Sequence, residues 1–331
     1  CHTRTDLGHY VQLDFRRPNG RSWDIERDIR INHAFAAALW HKGERKRARA
    51  LLDCSREITI DTLRRPDGSE CEQIVSRQAC RQRSCLICSR ITAWQRRRKL
   101  RDVLAEYYKK PQGTHPVLIV LTRPAVPYTA LRSEFRDAHA ALRKFLRAAK
   151  FQRAFGSFAR TTEFNFNRAR GTCNVHFNVL AMAAPDYFTD AAIYLDQRGD
   201  LAPLWSRCCG TKAKRIVWIE EIRHGDADGL QGTVLETCKY ITKQYAFVDT
   251  NTGGEVTVDP DPFVTITRAM HGVRFFALGG LFRLLHADLT KREADMERAS
   301  LAERLGATPV RTTRWQWDSH QRRFIQAANR K

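Results

Sequence analysis

The chain has 331 residues, a length that allows one large domain or two smaller ones. It carries 57 Lys and Arg against 36 Asp and Glu, a net charge of +21, so we expect a polyanionic partner, with nucleic acid ahead of an anionic membrane surface. Apolar runs such as Val117–Leu121 are far shorter than the ~20 residues of a spanning helix. No secretory signal is visible, and we therefore expect a cytoplasmic protein with no membrane role.

Hydrophobic periodicity and residue type predict a series of elements along the chain. In chain order we predict a helix over Ile29–Leu52, an irregular Cys-rich stretch over 53–90, a helix over 91–110, a buried strand over Val117–Thr122, a helix over Leu131–Phe151, paired strands over Phe158–Phe166 and Cys173–Met182, a helix over Ala191–Trp205, a strand over Arg215–Arg223, a helix over Leu235–Phe247, an apolar segment over Phe275–His286, and a basic helical remainder.

Strands interleaved with helices, with a hairpin in the middle, predict an α+β fold in which helices flank a central antiparallel sheet. We divide the chain into four segments. They are a basic helical region at 1–52, a Cys-rich region with a basic helix at 53–110, a central domain at 111–286, and a basic tail at 287–331.

Ten cysteines are present, and the spacing Cys80-x4-Cys85-x2-Cys88 favours a zinc site over disulfides. The C-x2-C pair can occupy one edge of a zinc tetrahedron, and Cys80 is near enough to be a third ligand. Either Cys71 or Cys54 supplies the fourth. Such a site is structural, because four cysteines leave no open position for a substrate. Buried free thiols are the alternative.

The strand Cys173–Met182 places His176 and Asn178 on one face, because side chains alternate along a strand. Glu163, on the preceding strand, can add a carboxylate from across the hairpin. One imidazole, one carboxylate and one amide suit Mg²⁺ or Mn²⁺. The alternative for a single His in a strand is an ordinary core residue.

The predicted helix Leu235–Phe247 carries Glu236 and Tyr240 four residues apart and hence on one face. Lys239 and Lys243 flank the tyrosine. Adjacent cations and a divalent metal favour the phenolate, which makes Tyr240 a candidate nucleophile and Glu236 a candidate general base. The alternative is an amphipathic helix with a buried tyrosine.

Taken in order, these motifs resemble the HUH-type rolling-circle replication initiators of small bacterial plasmids, in the group with one tyrosine and a paired glutamate. The similarity spans roughly residues 54–285. It rests on Cys80–Cys88 (CRQRSCLIC), Leu118–Thr122 (LIVLT), Gly156–Glu163 (GSFARTTE), Val175–Leu180 (VHFNVL), Glu236–Lys243 (ETCKYITK) and His271–Leu281 (HGVRFFALGGL). One departure stands out, since Asn178 occupies the position of the second His in the metal motif.

The resemblance implies an HUH-type fold and an enzyme that nicks one strand of origin DNA through Tyr240, leaving a 5′-phosphotyrosine and a free 3′-hydroxyl. It implies Mg²⁺ or Mn²⁺ for catalysis and Zn²⁺ for structure. Single-stranded and origin DNA are the implied partners, with host helicase, host polymerase and a homodimer as further candidates. Two alternatives stay open. One is a transposase or relaxase with the same chemistry. The other is a zinc-dependent DNA-binding protein that has lost catalysis, which the presence of Asn178 favours.

Overall fold

The computed structural model describes residues 14–16, 22–109, 114–213, 215–222, 247–250, 256–296, 306, 308–321 and 323–327, with the backbone alone at 14–16, 22–23, 71–76, 250 and 292–296. The chain forms two compact units. The first unit contains Cys1–Ser89, Val248–Phe263 and Arg292–Lys331. The second contains Arg90–Phe247 and Val264–Lys291. The division into four segments stays a prediction.

The described helices are α1 (Ile25–His41), α2 (Arg45–Leu52), α3 (Leu86–Tyr107), α4 (Leu131–Arg147), α5 (Ala149–Ala154), α6 (Ala202–Cys208), α7 (Pro260–Ala269) and α8 (Leu281–Met296). The described strands are β1 (Asp14–Arg16), β2 (Ser22–Asp24), β3 (Glu57–Arg64), β4 (Glu70–Arg77), β5 (His115–Pro127), β6 (Phe155–Asn167), β7 (Thr172–Ala183), β8 (Val217–Glu221), β9 (Val248–Thr250), β10 (Val256–Val258), β11 (Phe276–Gly279), β12 (Thr308–Asp318) and β13 (Arg323–Gln326). Within these ranges none of the helices is both long and apolar enough to cross a membrane.

The first unit is built on an antiparallel sheet with the strand order β13-β12-β3-β4. Helix α1 buries an apolar stripe in this unit, and its fully buried Phe35 stacks on Phe263 at a ring-centroid distance of 4.5 Å. The helix ends before Gly43, whose φ of +76° is a left-handed conformation that glycine adopts without strain. The single helix predicted over Ile29–Leu52 is therefore two helices, α1 and α2.

The second unit is built on a five-stranded antiparallel sheet with the order β11-β6-β7-β5-β8. Side chains of β7 alternate between its two faces. On one face Phe177 packs edge-on against His139 of α4 and Trp205 of α6, at centroid distances of 5.3 and 6.1 Å. On the other face Leu180 and Met182 join the apolar cluster formed with α3 and α8. Each face of the sheet is thus covered by a pair of helices. The predicted α+β class with antiparallel sheets is confirmed.

The helix predicted over Leu131–Phe151 is likewise two helices, α4 and α5, because Ala148 between them is extended. Three further predicted elements are wrong. The stretch 53–90 contains the hairpin β3–β4, because Glu57–Arg64 (EITIDTLR) alternates β-branched core residues with polar ones. The helix predicted over Ala191–Trp205 is replaced by turns and a short π-helix over Gln197–Leu201 that leads into α6. The tail predicted to be helical contains β12 and β13, where β12 has the threonines and tryptophans typical of strands.

Candidate functional site

Four cysteines of the first unit converge on one point. The sulfur of Cys54 lies 3.5 Å from that of Cys85 and 3.6 Å from that of Cys88, and the sulfurs of Cys80 and Cys88 are 3.7 Å apart. All four sulfurs lie within 4.8 Å of one another. A tetrahedron of thiolates with metal–sulfur bonds of ~2.3 Å has sulfur–sulfur edges of roughly 3.8 Å, so the cluster has the dimensions of a metal site.

The local backbone brings these thiols together from three places. Cys54 follows the end of α2, Cys80 follows β4, and Cys85 and Cys88 lie at the start of α3. Ser55 and Arg81, each directly after a cluster cysteine, have positive φ values of 59° and 54°. Non-glycine residues rarely adopt this conformation. The chain therefore turns sharply at both points to present its sulfurs.

Hydrogen bonds to the sulfurs hold the cluster in place. Asn32 of α1 is buried, and its side-chain Nδ2 donates to the Cys85 sulfur at 3.3 Å while its Oδ1 accepts from the Leu86 backbone N–H at 3.0 Å. The Cys88 N–H donates to the Cys85 sulfur at 3.4 Å, and Arg77 Nη1 lies 3.6 Å from the Cys88 sulfur. Such donors orient thiolate ligands and stabilise their charge.

The four thiols also set each other's protonation. Hydrogen bonds from Cys54, Cys80 and Cys85 lower the pKa of Cys88, and those with Cys80 and Cys85 lower the pKa of Cys54 to about 7. The same contacts raise the pKa of Cys80 and of Cys85. In the metal-free cluster, Cys54 and Cys88 therefore favour the thiolate, which is the form that binds a metal, and Cys80 and Cys85 favour the thiol.

Cys54 completes a set of four thiols with Cys80, Cys85 and Cys88, which the spacing argument had left open between Cys54 and Cys71. The backbone of Cys71 pairs with Leu63 in the β3–β4 hairpin, and its side chain lies outside the described residues. Its part in a metal site stays a prediction.

The second group of candidate residues lies on β6 and β7, in the other unit. Their register places Glu163 directly opposite His176, and Thr161 directly opposite Asn178. Directly opposed residues share a face and have Cβ atoms about 4.5–5.5 Å apart. His176, Asn178 and Glu163 therefore lie on one face of the sheet, the face that carries Leu180 and Met182 further along β7.

His176 is held between two polar side chains. Its Nδ1 lies 3.3 Å from Thr122 Oγ1 at the β5 register position opposite, and its Nε2 lies 3.1 Å from the Asn165 amide nitrogen. We assign the proton to Nδ1, donated to the threonine oxygen, because the Asn165 amide N–H then meets the lone pair on Nε2. An imidazole in this tautomer has its lone pair on Nε2, and a metal ion can take that lone pair when the Asn165 amide turns away from it. Asn178 is more deeply buried than His176, with 6% of its surface exposed.

A buried ion pair fixes the strand that carries Thr122. Arg123 donates to both carboxylate oxygens of Glu134 on α4, at 2.6 and 3.1 Å, and both side chains are nearly fully buried. The Asn174 amide also donates to the Arg123 carbonyl oxygen. Hydrogen bonding to Glu134 raises the pKa of the Arg123 guanidinium. Thr122 is therefore held in place by its neighbour Arg123, whose buried ion pair with Glu134 is rigid.

The four residues predicted to carry the nucleophilic chemistry, Tyr240, Glu236, Lys239 and Lys243, fall within 223–246 and lie outside the described residues. Their roles stay predictions. The sequence reasoning did not single out Asn32, Arg77 or Asn165. Only Asn165 left a signal, since it lies two residues after Glu163 and therefore on the same face of β6.

Comparison with known proteins gives relatives of one kind. A curated protein from Lentilactobacillus hilgardii named "Protein rep" is 26% identical over 219 residues, which cover 65% of this chain and 68% of the relative. A "Protein rep" from Staphylococcus aureus is 26% identical over 177 residues, covering 53% and 73%. A third, from Streptococcus pneumoniae serotype 2, is 24% identical over 189 residues, covering 56% and 57%. No solved structure matches.

The family comparison covers the group on β6 and β7 and three of the four cluster cysteines, with Cys54 outside the matched range. The family described as "Replication protein" (Rep_1) matches residues 72–325, which is more than half of the chain and includes Cys80, His176 and Tyr240. Together with the curated relatives, this match confirms the resemblance to plasmid replication initiators that the order of the motifs indicated. The chain belongs to the Rep_1 replication protein family.

Proposed function

We propose that this protein initiates rolling-circle replication of a plasmid by nicking one strand of the origin through Tyr240. The observation that carries the proposal is a set of polar side chains on one face of the sheet. In this set His176 is oriented by Thr122 and flanked by Glu163 and Asn178. A chain of this family with a pre-oriented imidazole beside a carboxylate and an amide has the donors that a phosphodiester-cleaving site needs.

The donor set fits a divalent cation of the Mg²⁺ or Mn²⁺ type. His176 Nε2, a Glu163 carboxylate oxygen and the Asn178 amide oxygen would hold it, and the bound ion would polarise the scissile phosphate. Replacing a second imidazole by Asn178 shifts the preference of the site toward harder, oxygen-seeking ions. In the first unit, the four-thiolate set and its spacing fit Zn²⁺ in a purely structural role.

The proposed chemistry is a transesterification. The Tyr240 oxygen attacks the scissile phosphorus and forms a phosphotyrosine bond, while the bond from phosphorus to the 3′ oxygen breaks. The phenolic proton passes to a base, and the departing 3′ oxygen takes up a proton to become the hydroxyl that primes synthesis. Glu236 would later activate water to end the cycle. Lys239 and Lys243 would lower the pKa of the tyrosine hydroxyl through their charge.

The test uses labelled single-stranded oligonucleotides that tile the DNA around the coding sequence, incubated with Mn²⁺. The wild type should form a covalent protein–DNA adduct with one oligonucleotide, and Tyr240→Phe should form none. An adduct of equal yield in Tyr240→Phe would refute the nucleophile. Thr122→Val should raise the Mn²⁺ concentration needed for half-maximal cleavage about tenfold to a hundredfold, because the imidazole loses its orienting partner.

A second function is favoured by one observation, the buried amide at Asn178 where a second imidazole would strengthen the metal site. In this alternative the chain binds origin DNA through a zinc-dependent fold and does not cut it. Asn178→His separates the two. Absence of cleavage in both the wild type and Asn178→His, with intact DNA binding, would favour the binding function.

A further inference from the structure

A polar pocket lies at the end of the β6–β7 hairpin, beside the candidate site. The cavity measures about 550 Å³. The residues that line it include Asn165, Asn167, Asn174, Arg168 and Arg170. This volume lies within the range of sites that hold one small ligand.

The hairpin turn presents the two arginines on a fixed backbone. Asn167 Oδ1 accepts the Arg170 backbone N–H at 3.1 Å, and Gly171 closes the turn with a φ of +60°. Both arginines have exposed side chains. A guanidinium group is a planar fork of N–H donors that suits phosphate oxygens, and two such side chains extend from this short, hydrogen-bonded turn.

The asparagines supply hydrogen-bonding groups of both kinds. The Asn174 amide nitrogen donates to the Arg123 carbonyl oxygen, and the Asn165 amide nitrogen faces His176, so each keeps its oxygen as an acceptor. Asn167 uses its oxygen in the turn and keeps its amide nitrogen as a donor. Donors and acceptors set beside each other are what the edge of a nucleobase requires, and asparagine reads adenine in this way.

Asn165 links the pocket to His176. Asn165 lines the pocket and its amide nitrogen also lies 3.1 Å from His176 Nε2. We propose that the pocket binds one nucleotide of single-stranded DNA adjacent to the scissile phosphate, with its phosphate on Arg168 and Arg170 and its base edge on the asparagine amides. Single-stranded DNA is required because an unstacked base alone can enter with its edge free. This inference rests on the proposed function, since it places the strand by reference to the His176 site.

The binding experiment uses the full chain with Tyr240→Phe, so that no DNA is cut. A random-sequence single-stranded 24-mer is selected for binding and sequenced, and the enriched sequence is then titrated by fluorescence anisotropy. We expect one position with a fixed base, about fivefold or more preferred over the others. Asn167→Asp keeps the oxygen that holds the turn and loses the amide donor. The Asn167→Asp variant should abolish the base preference at that position and at no other. Its added negative charge weakens the binding of all four bases equally, so the charge itself does not alter the preference.

The arginines are tested by salt dependence. Each phosphate contact on a single strand contributes about 0.7 to the slope of log affinity against log salt. Arg168→Ala/Arg170→Ala should reduce the slope by about 0.7 to 1.4. The matched control is Arg101→Ala/Arg136→Ala, which removes two exposed arginines, each hydrogen-bonded to the next aspartate on its own helix, and should leave the slope unchanged.

Three results would overturn the inference. One is an unchanged base preference in Asn167→Asp, and another is an equal fall in slope in the control pair. The third is displacement of the oligonucleotide by equimolar deoxyadenosine monophosphate, which would assign the pocket to a free nucleotide. A wild-type chain that binds with this preference but forms no adduct would refute the proposed nicking and leave the pocket assignment standing.

Discussion

Asn32 connects helix α1 to the four-cysteine cluster, and its substitution should weaken both metal binding and folding. Its amide nitrogen donates to the Cys85 sulfur at 3.3 Å and its oxygen accepts from the Leu86 N–H at 3.0 Å. Removing a donor of this kind typically lowers metal affinity tenfold to a hundredfold, which is about 1.4–2.8 kcal/mol. Asn32→Ala also leaves the buried Leu86 N–H without its acceptor, at a cost of about 1–3 kcal/mol.

These two effects are measured separately, as the Zn²⁺ affinity and as the stability of the metal-free protein. Asn32→Asp keeps an oxygen for the Leu86 N–H and replaces the donor to Cys85 by a carboxylate, whose charge the thiolates repel. We therefore expect both variants to bind Zn²⁺ about tenfold to a hundredfold more weakly. In the metal-free protein, Asn32→Ala should lose about 1–3 kcal/mol of unfolding free energy, because the buried Leu86 N–H loses its acceptor.

The assay is a competitive Zn²⁺ titration against a chromophoric chelator, followed by guanidinium unfolding with and without an excess of chelator. Cobalt substitution, followed by its visible absorption, confirms that the remaining thiolates still form a tetrahedral site. Zinc affinities within twofold of the wild type in both variants would refute the view that Asn32 supports the cluster.

Three further predictions concern the second unit. Glu134→Gln should lose about 3–5 kcal/mol of unfolding free energy, measured in urea, because it leaves the Arg123 charge buried without its partner. The double variant Arg123→Met/Glu134→Leu removes both charges and should lose less. Equal losses in the two variants would contradict this reasoning. Burial, and then Arg160 and Arg143, lower the pKa of His139 from 6.5 to about 4, so the unfolded chain takes up a proton first as the pH falls from 6.5 to 4. The urea midpoint should therefore fall across this window more steeply in the wild type than in His139→Gln, and parallel curves would exclude His139 as the cause. Gly280→Ala should lose about 2 kcal/mol or more of unfolding free energy, measured by thermal unfolding, because the φ of Gly280 is +58° and an added Cβ would meet the Gly156 carbonyl oxygen. The control Gly156→Ala has open space at its Cβ and should change the stability by less than about 0.5 kcal/mol.

The sequence predicted those parts of the fold that depend on short-range pattern. The hairpin of β6 and β7, the buried strand at Val117–Thr122 and the shared face of His176 and Glu163 all follow from period-two alternation, and the structure contains them. The cysteine spacing likewise indicated Cys80, Cys85 and Cys88 as a group.

Features that depend on distant parts of the chain could not be predicted in this way. Cys54 and Asn32 reach the cluster only because α1 and α2 pack against each other, which spacing along the sequence does not encode. The pairing of β12 with β3 joins residues about 250 positions apart. The helix predicted at Ala191–Trp205 was wrong because Asp196 accepts the N–H groups of Arg198 and Gly199, a local turn that overrides apolar periodicity.

The alternation of β7 limits how this chain can change over generations. Phe177 faces the helices α4 and α6, and His176 and Asn178 face the opposite side. One residue inserted into or deleted from β7 would exchange these two sets, burying the imidazole and exposing the aromatic ring. Descendant sequences can therefore alter β7 only by point replacement, which leaves its length and register unchanged. A single step such as Asn178→His remains open to the lineage, whereas a shift of register does not.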